Sequence, residues 1–501
     1  MKNIKIWITR IILSASLFMI AAGAQAATRT VTKTADTDDG VCNADCSLRE
    51  AIDVANPGDR IIFSSLFNTP QTIPYNGGLT ISTNLTIIGT GADLLTISSN
   101  GGGALVISSG NTVNISDLTI AGSGASGISN YGDLTISNCV ITGNAGSGVA
   151  NNGDLTIDNC LITENAASGI KNFLGTLLIN HSTISENTGS LGGGIESEDD
   201  LIITNSTVSN NTANALASGG GGIYSTGSLT VTNSTVSGNT KLGSFHNGGG
   251  IYHRGTTTIT GSTITNNSVD GTPGGSGVFK EDFAGLLRVR NSIIAANVDN
   301  SIKPDVEETS FGTSSDGYNL IGNDGTVSVF STGVFNFIGD QRGTAAAPLN
   351  PLLDPLDDYG GMTATHRLQT NSTAIDKGDS FGLTEDQRGF LRPYDKPGIP
   401  NSTSGDGSDI GAYELQFAVF VTGGIYNPLG VPIRNVRVLL RGANGLRRAV
   451  RTDRFGVYRF NNVARNRIYQ VSVTHRQYEF IPQIIMVREE NISDLNFTAL
   501  P

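Results

Sequence analysis

From Asp133 onward the chain repeats itself: Asp133-Leu-Thr-Ile-Ser-Asn-Cys-Val-Ile-Thr-Gly-Asn144 returns 21 residues later as Asp154-Leu-Thr-Ile-Asp-Asn-Cys-Leu-Ile-Thr-Glu-Asn165. Repetition at a short fixed period is the strongest constraint a sequence can carry, because every unit must then fold alike and bury its apolar face against its neighbours. The unit recurs with Leu at 134, 155, 177, 201, 229 and 287 and with Thr257 in one place, and it ends each time in a Gly-Ile or Gly-Val pair (Ile128, Val149, Ile170, Ile195, Ile223, Ile251, Val278). Within a unit Leu134 and Ile136 share one parity and Cys139 and Ile141 the opposite one. Ser137 and Asn138 must therefore bend the chain while the same face stays inward, and Asn tolerates the left-handed backbone such a bend needs. Three inward-facing strands closing after about 21 residues describe one coil of a parallel β-helix, stacked on the next at ~4.8 Å.

The spacing shows where the coils vary. From the first Leu (or Thr257) to the closing Asn (144, 165, 187, 211, 239, 267, 297) the separation is always 10 residues, whereas from that Asn to the next Gly-Ile or Gly-Val pair it grows from 5 to 8 and then to 11 or 12. Loops lengthening on one edge of a rigid stack are where repeat proteins place binding surfaces. The 64 glycines and the low share of charged residues (15%) fit many close turns, no Gly-X-Y period is present, and a net charge of −12 argues against a nucleic-acid partner.

Lys2, Lys5 and Arg10 precede an apolar run from Ile11 to Ala22, and Ala24-Gln25-Ala26 offers small residues for cleavage, so 1–26 is expected to be an export signal. No later segment is long and apolar enough to span a membrane. Export makes the four cysteines disulfide candidates. The division expected is 27–84 as an N-terminal cap, 85–300 as the coils, 301–417 as the end of the β-helix with a loop-rich cap, and 418–501 as a separate β-sandwich. That last segment holds twelve Arg, no Lys and five acids, a local +7 against −22 for 27–417, so it is suited to docking on the acidic stack.

Cys42-Asn-Ala-Asp-Cys-Ser-Leu-Arg-Glu-Ala-Ile52 closely resembles the Cys-Ser-Leu-Arg-Glu-Ala motif of the bacterial exported repeat proteins named for it. Gly317-Tyr-Asn-Leu-Ile-Gly322, Thr373-Ala-Ile-Asp-Lys-Gly378, Asp386-Gln-Arg-Gly389 and Asp409-Ile-Gly-Ala-Tyr-Glu414 look like closing segments of the same family. The Gly-Gly-Gly-Ile coils are more loosely similar to polymorphic outer-membrane proteins. The resemblance covers roughly 28–417 and implies a right-handed β-helix at the cell surface, in a family mostly without a demonstrated reaction. Arg49 and Glu50 resemble its capping residues and are expected to form an ion pair over the first coil. Thr452-Asp-Arg-Phe-Gly456, with the strands around it, resembles the carboxypeptidase-regulatory-like (transthyretin-like) sandwich, grouped with carbohydrate-binding-like folds.

Parallel β-helices include pectin lyases and polygalacturonases, whose chemistry needs clustered carboxylates or carboxylates beside Arg or Lys. The outward positions here are mostly Thr and Ser, interrupted by Asp158, Arg288 and Arg290; the nearest acid pair, Glu164 and Glu186, sits one coil apart in a turn. Tyr224, Tyr252 and Phe279 follow successive Gly-Ile or Gly-Val pairs in the coils with the longest loops. They form either a glycan-contact strip, helped by His246, His253 and Arg254, or a ladder that only stabilises the sheet. Cys139 and Cys160 occupy one inward position on adjacent coils, followed there by Ser182, Ser206, Ser234, Ser262 and Ser292. A bridge and stacked thiols are both open for this pair, while Cys42 and Cys46 are expected to join as a loop disulfide. Asp376, Asp379, Asp386, Asp406 and Asp409 gather where calcium could bind; solvated loop acids are the favoured reading, and neither a metal nor a cofactor is expected. The sequence thus reads as an all-β, exported, surface-associated protein, a right-handed β-helix followed by a small β-sandwich, acting in adhesion or carbohydrate binding on a polysaccharide or surface glycan. A polysaccharide lyase or glycoside hydrolase is the alternative, and a structural stalk the second one.

Overall fold

The computed structural model describes residues 26–99, 102–243, 247–270, 274–281, 285–299, 304–308, 312–325, 335–442, 446–488 and 490–501; the export signal expected at 1–26 lies, but for its last residue, outside them. The repeat folds into a parallel β-solenoid with three strands per coil, stacked into two 12-stranded sheets and one 10-stranded sheet. Coils pair in register: Leu134 lies beside Leu155, then Leu177, Leu201, Leu229, Thr257 and Leu287. The leucines and the Ile or Val two places on are buried in one continuous core, and Thr257 is buried in the same row. The bend expected at Ser137-Asn138 is made by Asn138 in the left-handed region (φ 53°), and Asn159, His181, Asn205, Asn233, Gly261 and Asn291 repeat it on later coils.

Two inward side-chain ladders run along the stack. Each closing Asn accepts from the backbone N–H and side-chain amide of the coil before it. The amide bonds run from Asn144 to Asn165 (2.8 Å), Asn187 (2.9 Å), Asn211 (3.0 Å), Asn239, Asn267 and Asn297 (2.9 Å each), and on to Asp305 (2.8 Å). The Cys/Ser position makes the second: the backbone N–H of Cys160 donates to Ser182 Oγ (3.0 Å), and Ser206, Ser234, Ser262 and Ser292 continue the pattern. A small side chain with an acceptor atom is what this corner needs, because the N–H at the bend points along the stack where no strand can reach it. Cys139 and Cys160 stand in that ladder as free buried thiols, the N–H of Cys139 on Cys160 Sγ at 3.4 Å, and burial pushes the Cys160 thiol up.

The described parts of the lengthening loops form two side sheets, of 5 and 3 strands, against the stack. Packing is so close that a Cβ on Gly220 or Gly248 would collide with the carbonyl oxygens of Ile223 and Ile251, which accounts for glycine there.

At the N-terminal end the helix Leu48–Asp53 closes the first coil, its N-cap Ser47 sharing a capping box with Glu50, and Cys42 and Cys46 are bridged. The Arg49–Glu50 pair expected there does not form. Adjacent helical residues point apart: Arg49 instead clamps Asp36 (2.9 Å) and the carbonyls of Asn76 and Gly78, while buried Glu50 accepts from the N–H groups of Ser47 and Asp39, hydrogen bonds that hold its carboxyl low.

The last rungs are Leu320–Ile321 and Gln341–Arg342. Residues 343–415 then run back along the side of the stack rather than over its end. Gln387 is the rivet: its amide donates to Thr207 Oγ1 and Thr363 Oγ1 (2.9 Å each) and its carbonyl accepts from Thr235 Oγ1 (2.6 Å). His366 reaches Ser237 Oγ (2.8 Å), and the Ala412 N–H reaches Thr263 Oγ1 (3.0 Å). From Val419 onward the chain forms a 3-stranded and a 4-stranded sheet around their own core of Val421, Ile425, Val438, Leu440, Tyr458, Phe460, Tyr469 and Phe497.

Candidate functional site

The aromatic residues do stack, with ring centroids 5.2 Å apart for Tyr224 and Tyr252 and 5.7 Å for Tyr252 and Phe279, the latter planes within 10°. They are not an exposed strip. The side sheets cover them, leaving Tyr252 1% and Phe279 0% exposed, and only Tyr224 is half-buried. The Tyr252 hydroxyl is bonded to Glu281, which also faces Arg254 at 3.7 Å. His253 points the other way, into the lumen, where burial depresses its pKa to about 4; His246 lies outside the described residues. Of the two alternatives for the aromatic residues, the burial of Tyr252, Phe279 and His253 contradicts the exposed glycan-contact strip: loops long enough to hold sugar are also long enough to fold over the rings.

Glu164 and Glu186 are exposed turn residues with φ of 55° and 58°, in the same left-handed turn position that Asn210 and Gly238 fill on later coils. The aspartates are not solvated loop acids. Asp386 is buried, accepting from the N–H groups of Arg388 and Phe390 (2.9 Å each) and from the Arg388 guanidinium (2.6 Å). Asp409 is buried and accepts from Asp376 N–H (2.8 Å) and Leu415 N–H. Asp376, also buried, accepts from Lys396 N–H, while Asp379 and Asp406 cap loop amides of Phe381, Ser380 and Ser408. These aspartates serve as hydrogen-bond hubs for the loops, and among the described residues no group of three or more His, Cys, Asp or Glu is arranged to hold a metal.

What the fold does bring together is a cleft of about 850 Å³ between the stack and the C-terminal two-sheet unit. One wall is made by the bends of four coils, with Asp117, Asn138, Asn159 and His181 repeating at coil spacing and Thr183 beside them. Asn159 donates to Asn138 Oδ1 (2.7 Å), and His181 Nδ1 lies 2.8 Å from Asn180 Nδ2 and 3.5 Å from Asp158 Oδ1, which also accepts from Asn180 (3.0 Å); His181 and Asn180 beside it hold the Asp158 carboxyl below its ordinary range. The facing wall is a hairpin of the strands Arg437–Gly442 and Arg447–Arg451, in which Arg437 pairs with Arg451, Leu439 with Ala449, and Arg441 with Arg447. Strand alternation puts all six on the cleft side. Asp93, from the stack, bridges one arginine pair, at 2.8 Å from Arg451 and 3.4 Å from Arg437. Arg448–Asp358 (3.3 Å) and Arg467–Glu385 (2.7 Å) tie the unit down further along.

This wall was missed from the sequence, although its signal is there: Arg at 437, 441, 447 and 451 with Leu439 and Ala449 between is a period-2 face of two strands. The acids opposite are single residues in an otherwise neutral repeat, and nothing local marks them as its partners.

A family model described as a right handed beta helix region matches residues 83–236. Among solved structures, pectate lyase Pel9A is similar at 17% identity and a TM-score of 0.42, over 79% of this chain and 98% of that one. The PL6 family alginate lyase AlyGC is similar at 13% identity and a TM-score of 0.32, over 80% of this chain and 61% of that one. No curated protein matches the chain in sequence. The matched region and the three-strand coils make this an all-β protein built on a right-handed parallel β-helix.

Proposed function

We propose that the protein is an exported, surface-associated glycan-binding protein of the adhesive, non-catalytic kind, and that its ligand lies in the cleft between the β-helix and the C-terminal unit. The observation that carries this is the cleft's repeating wall. Asn138, Asn159 and His181 offer hydrogen-bonding groups at successive coils, ~4.8 Å apart, and a polymer that presents the same hydroxyls at each repeat suits such a row. The volume is of the size that holds several sugar rings. Export is supported by the pattern of 1–26, by the Cys42–Cys46 bridge and by the Cys-Ser-Leu-Arg-Glu-Ala segment; the C-terminal unit's resemblance to carbohydrate-binding-like sandwiches points the same way.

The test is a glycan array probed with residues 27–501, repeated with Asn138→Gly/Asn159→Gly, which keeps the left-handed bends while removing both amides. Binding that falls at least several-fold in the variant is expected; binding unchanged by it sinks the reading.

A second reading, a polysaccharide lyase, is favoured by one observation: the Asp158–His181 pair stands at the cleft wall opposite Arg447. There His181 would take a proton, Asp158 would orient its ring, and Arg447 would steady the negative charge that develops. Release of unsaturated product from acidic polysaccharides, abolished by His181→Asn, would replace the binding reading with this one.

A further inference from the structure

The cleft-facing hairpin carries two cross-strand arginine pairs of the same design. Arg437 stands opposite Arg451, and Arg441 opposite Arg447. Like charges directly across a strand pair repel, and a sequence tolerates the arrangement where an anion is shared between them. The first pair shows this within the chain itself: the two oxygens of Asp93 reach one arginine each, at 3.4 Å and 2.8 Å. Asp93 comes from the turn 89–93 of the stack and serves only that end of the hairpin.

At the other end, Arg441 and Arg447 line the same cleft on the same face, and among the described residues no acid lies within ion-pair distance of either. Asp158 feels the charge of Arg447 across the gap, but its oxygen is engaged by Asn180 and His181. Arg441 and Arg447 thus line a space that Asn159, His181 and Thr183, all hydrogen-bonding residues, line as well.

We infer that Arg441 and Arg447 form a second anion clamp, equivalent to the Asp93 clamp, which takes a carboxylate or sulfate group carried by the ligand in the cleft. This rests on the cleft being the glycan site, and it narrows the ligand to an acidic chain. Planar guanidinium groups in a pair fit the two oxygens of a carboxylate or two of a sulfate, and charge-assisted bonds are stronger than neutral ones, while the exposure of both arginines leaves them open to screening by salt.

The experiment is calorimetric titration of residues 27–501 with acidic trisaccharides (galacturonate, mannuronate, sulfated galactose) and their neutral counterparts, on the parent and on Arg441→Gln/Arg447→Gln. The clamp predicts that one acidic series binds roughly tenfold or more tightly than its neutral counterpart. It predicts that the double variant loses this preference but keeps its affinity for the neutral sugar, and that added salt weakens only the acidic complex. A parent without preference, or a variant that binds acid as tightly as the parent, overturns the clamp and leaves the glycan reading standing. If no sugar binds at all, the glycan reading fails, and the clamp is then decided by inorganic sulfate. Shifts of the guanidinium N–H resonances of Arg441 and Arg447 but not of Arg488 support it; equal or absent shifts overturn it.

Discussion

The coils and the segment 343–415 both bury many polar groups, and they satisfy them in opposite ways. In the coils the same neutral side chain recurs at the same corner, so each Asn or Ser is both the partner of the coil before and the client of the coil after. The segment 343–415 has no repeat to lean on. Its interior is held by charge: Arg392 donates to Glu414 (2.8 Å) and to the Gly411 carbonyl (2.7 Å), Arg388 joins Asp386 to the Glu414 carbonyl (2.6 Å each), and all four side chains are essentially without exposure. A periodic backbone presents one unpaired N–H at each of two fixed corners per coil, which a neutral amide or hydroxyl can meet at low desolvation cost. An irregular backbone presents several unpaired N–H and carbonyl groups at one spot, and only a carboxylate or guanidinium has enough lone pairs or protons to meet them together.

The largest expected effect follows from breaking the charged solution. Arg392→Met leaves Glu414 buried without its cation, and it should lower the stability of the segment by about 3–5 kcal/mol. Burial already raises Glu414 to about 7 with Arg392 in place, so the loss should shrink at pH 5, where the acid is neutral. Denaturant midpoints followed by the fluorescence of Tyr359 and Tyr413, at pH 8 and pH 5, check this; equal losses at both pH values would refute the role given to charge.

Breaking the neutral solution should cost somewhat less. Asn239→Leu removes the acceptor of two donors on Asn211, its backbone N–H (3.0 Å) and its amide (2.9 Å), and one donor to Val208 O (2.9 Å). Leu fills the space, so the cost is that of the orphaned groups, about 2–4 kcal/mol. Amide exchange should quicken at Asn211 and its two neighbouring coils and little elsewhere, because a solenoid transmits damage only to adjacent repeats. Exchange that rises uniformly along the stack would contradict this.

The ladder meets charge at one point. After Asn297 the next acceptor is Asp305, buried, with its pKa raised by burial to about 6 even though it accepts N–H bonds from Asn297 and Asn323. A folded-state pKa above the unfolded one means the folded chain holds the proton longer, so this site's contribution is complete at about pH 4 and is lost as the pH rises through 6. His253, depressed to about 4, has the opposite sense: its neutral form is required, so its contribution grows from pH 4 to 6.5. The two slopes oppose each other in the same window. Asp305→Asn should uncover the rising limb of His253, worth about 3 kcal/mol, in stability measured at fixed ionic strength from pH 4 to 7. A parent and a variant with parallel pH profiles would rule it out.

The coils were legible because a repeat states its own rule. The inward Leu and Ile positions, the Ser137-Asn138 bend, the constant closing Asn and the Cys/Ser corner all stand in the sequence at fixed spacing, and each has one place in the fold. The sequence left the aromatic residues open between a ladder and a surface strip, since Tyr252 and Phe279 owe their burial to loops whose own path carries no periodic signal. The Asp386-Gln-Arg-Gly389 and Asp409–Glu414 segments were visible as motifs, but that they meet each other, and that Gln387 anchors the chain to Thr207 and Thr235 some 150 to 180 residues away, is a tertiary fact without local trace. The cleft was illegible for the same reason: its walls are alternation on one side and a repeated bend on the other, and only the docking of the basic unit on the acidic stack brings them face to face.

That docking carries the smallest effect, and it separates the two roles of the arginine hairpin. Asp93 is about two-fifths exposed, so its pairs with Arg437 and Arg451 lie in screened surroundings and contribute at most about 1 kcal/mol to holding the C-terminal unit in place. Asp93→Asn should therefore leave the melting of the stack unchanged and should only modestly raise protease cleavage near residues 416–418, an increase that 1 M salt reproduces in the parent. Its other consequence has the reverse sign. Freed of the internal carboxylate, Arg437 and Arg451 become available to the ligand, and affinity for an acidic trisaccharide should rise a few-fold where the neutral one does not change. A fall in acidic affinity would mean that Asp93 works chiefly by holding the two walls at the right separation, and the coils and the C-terminal unit would then be coupled through geometry rather than through competition for one anion site.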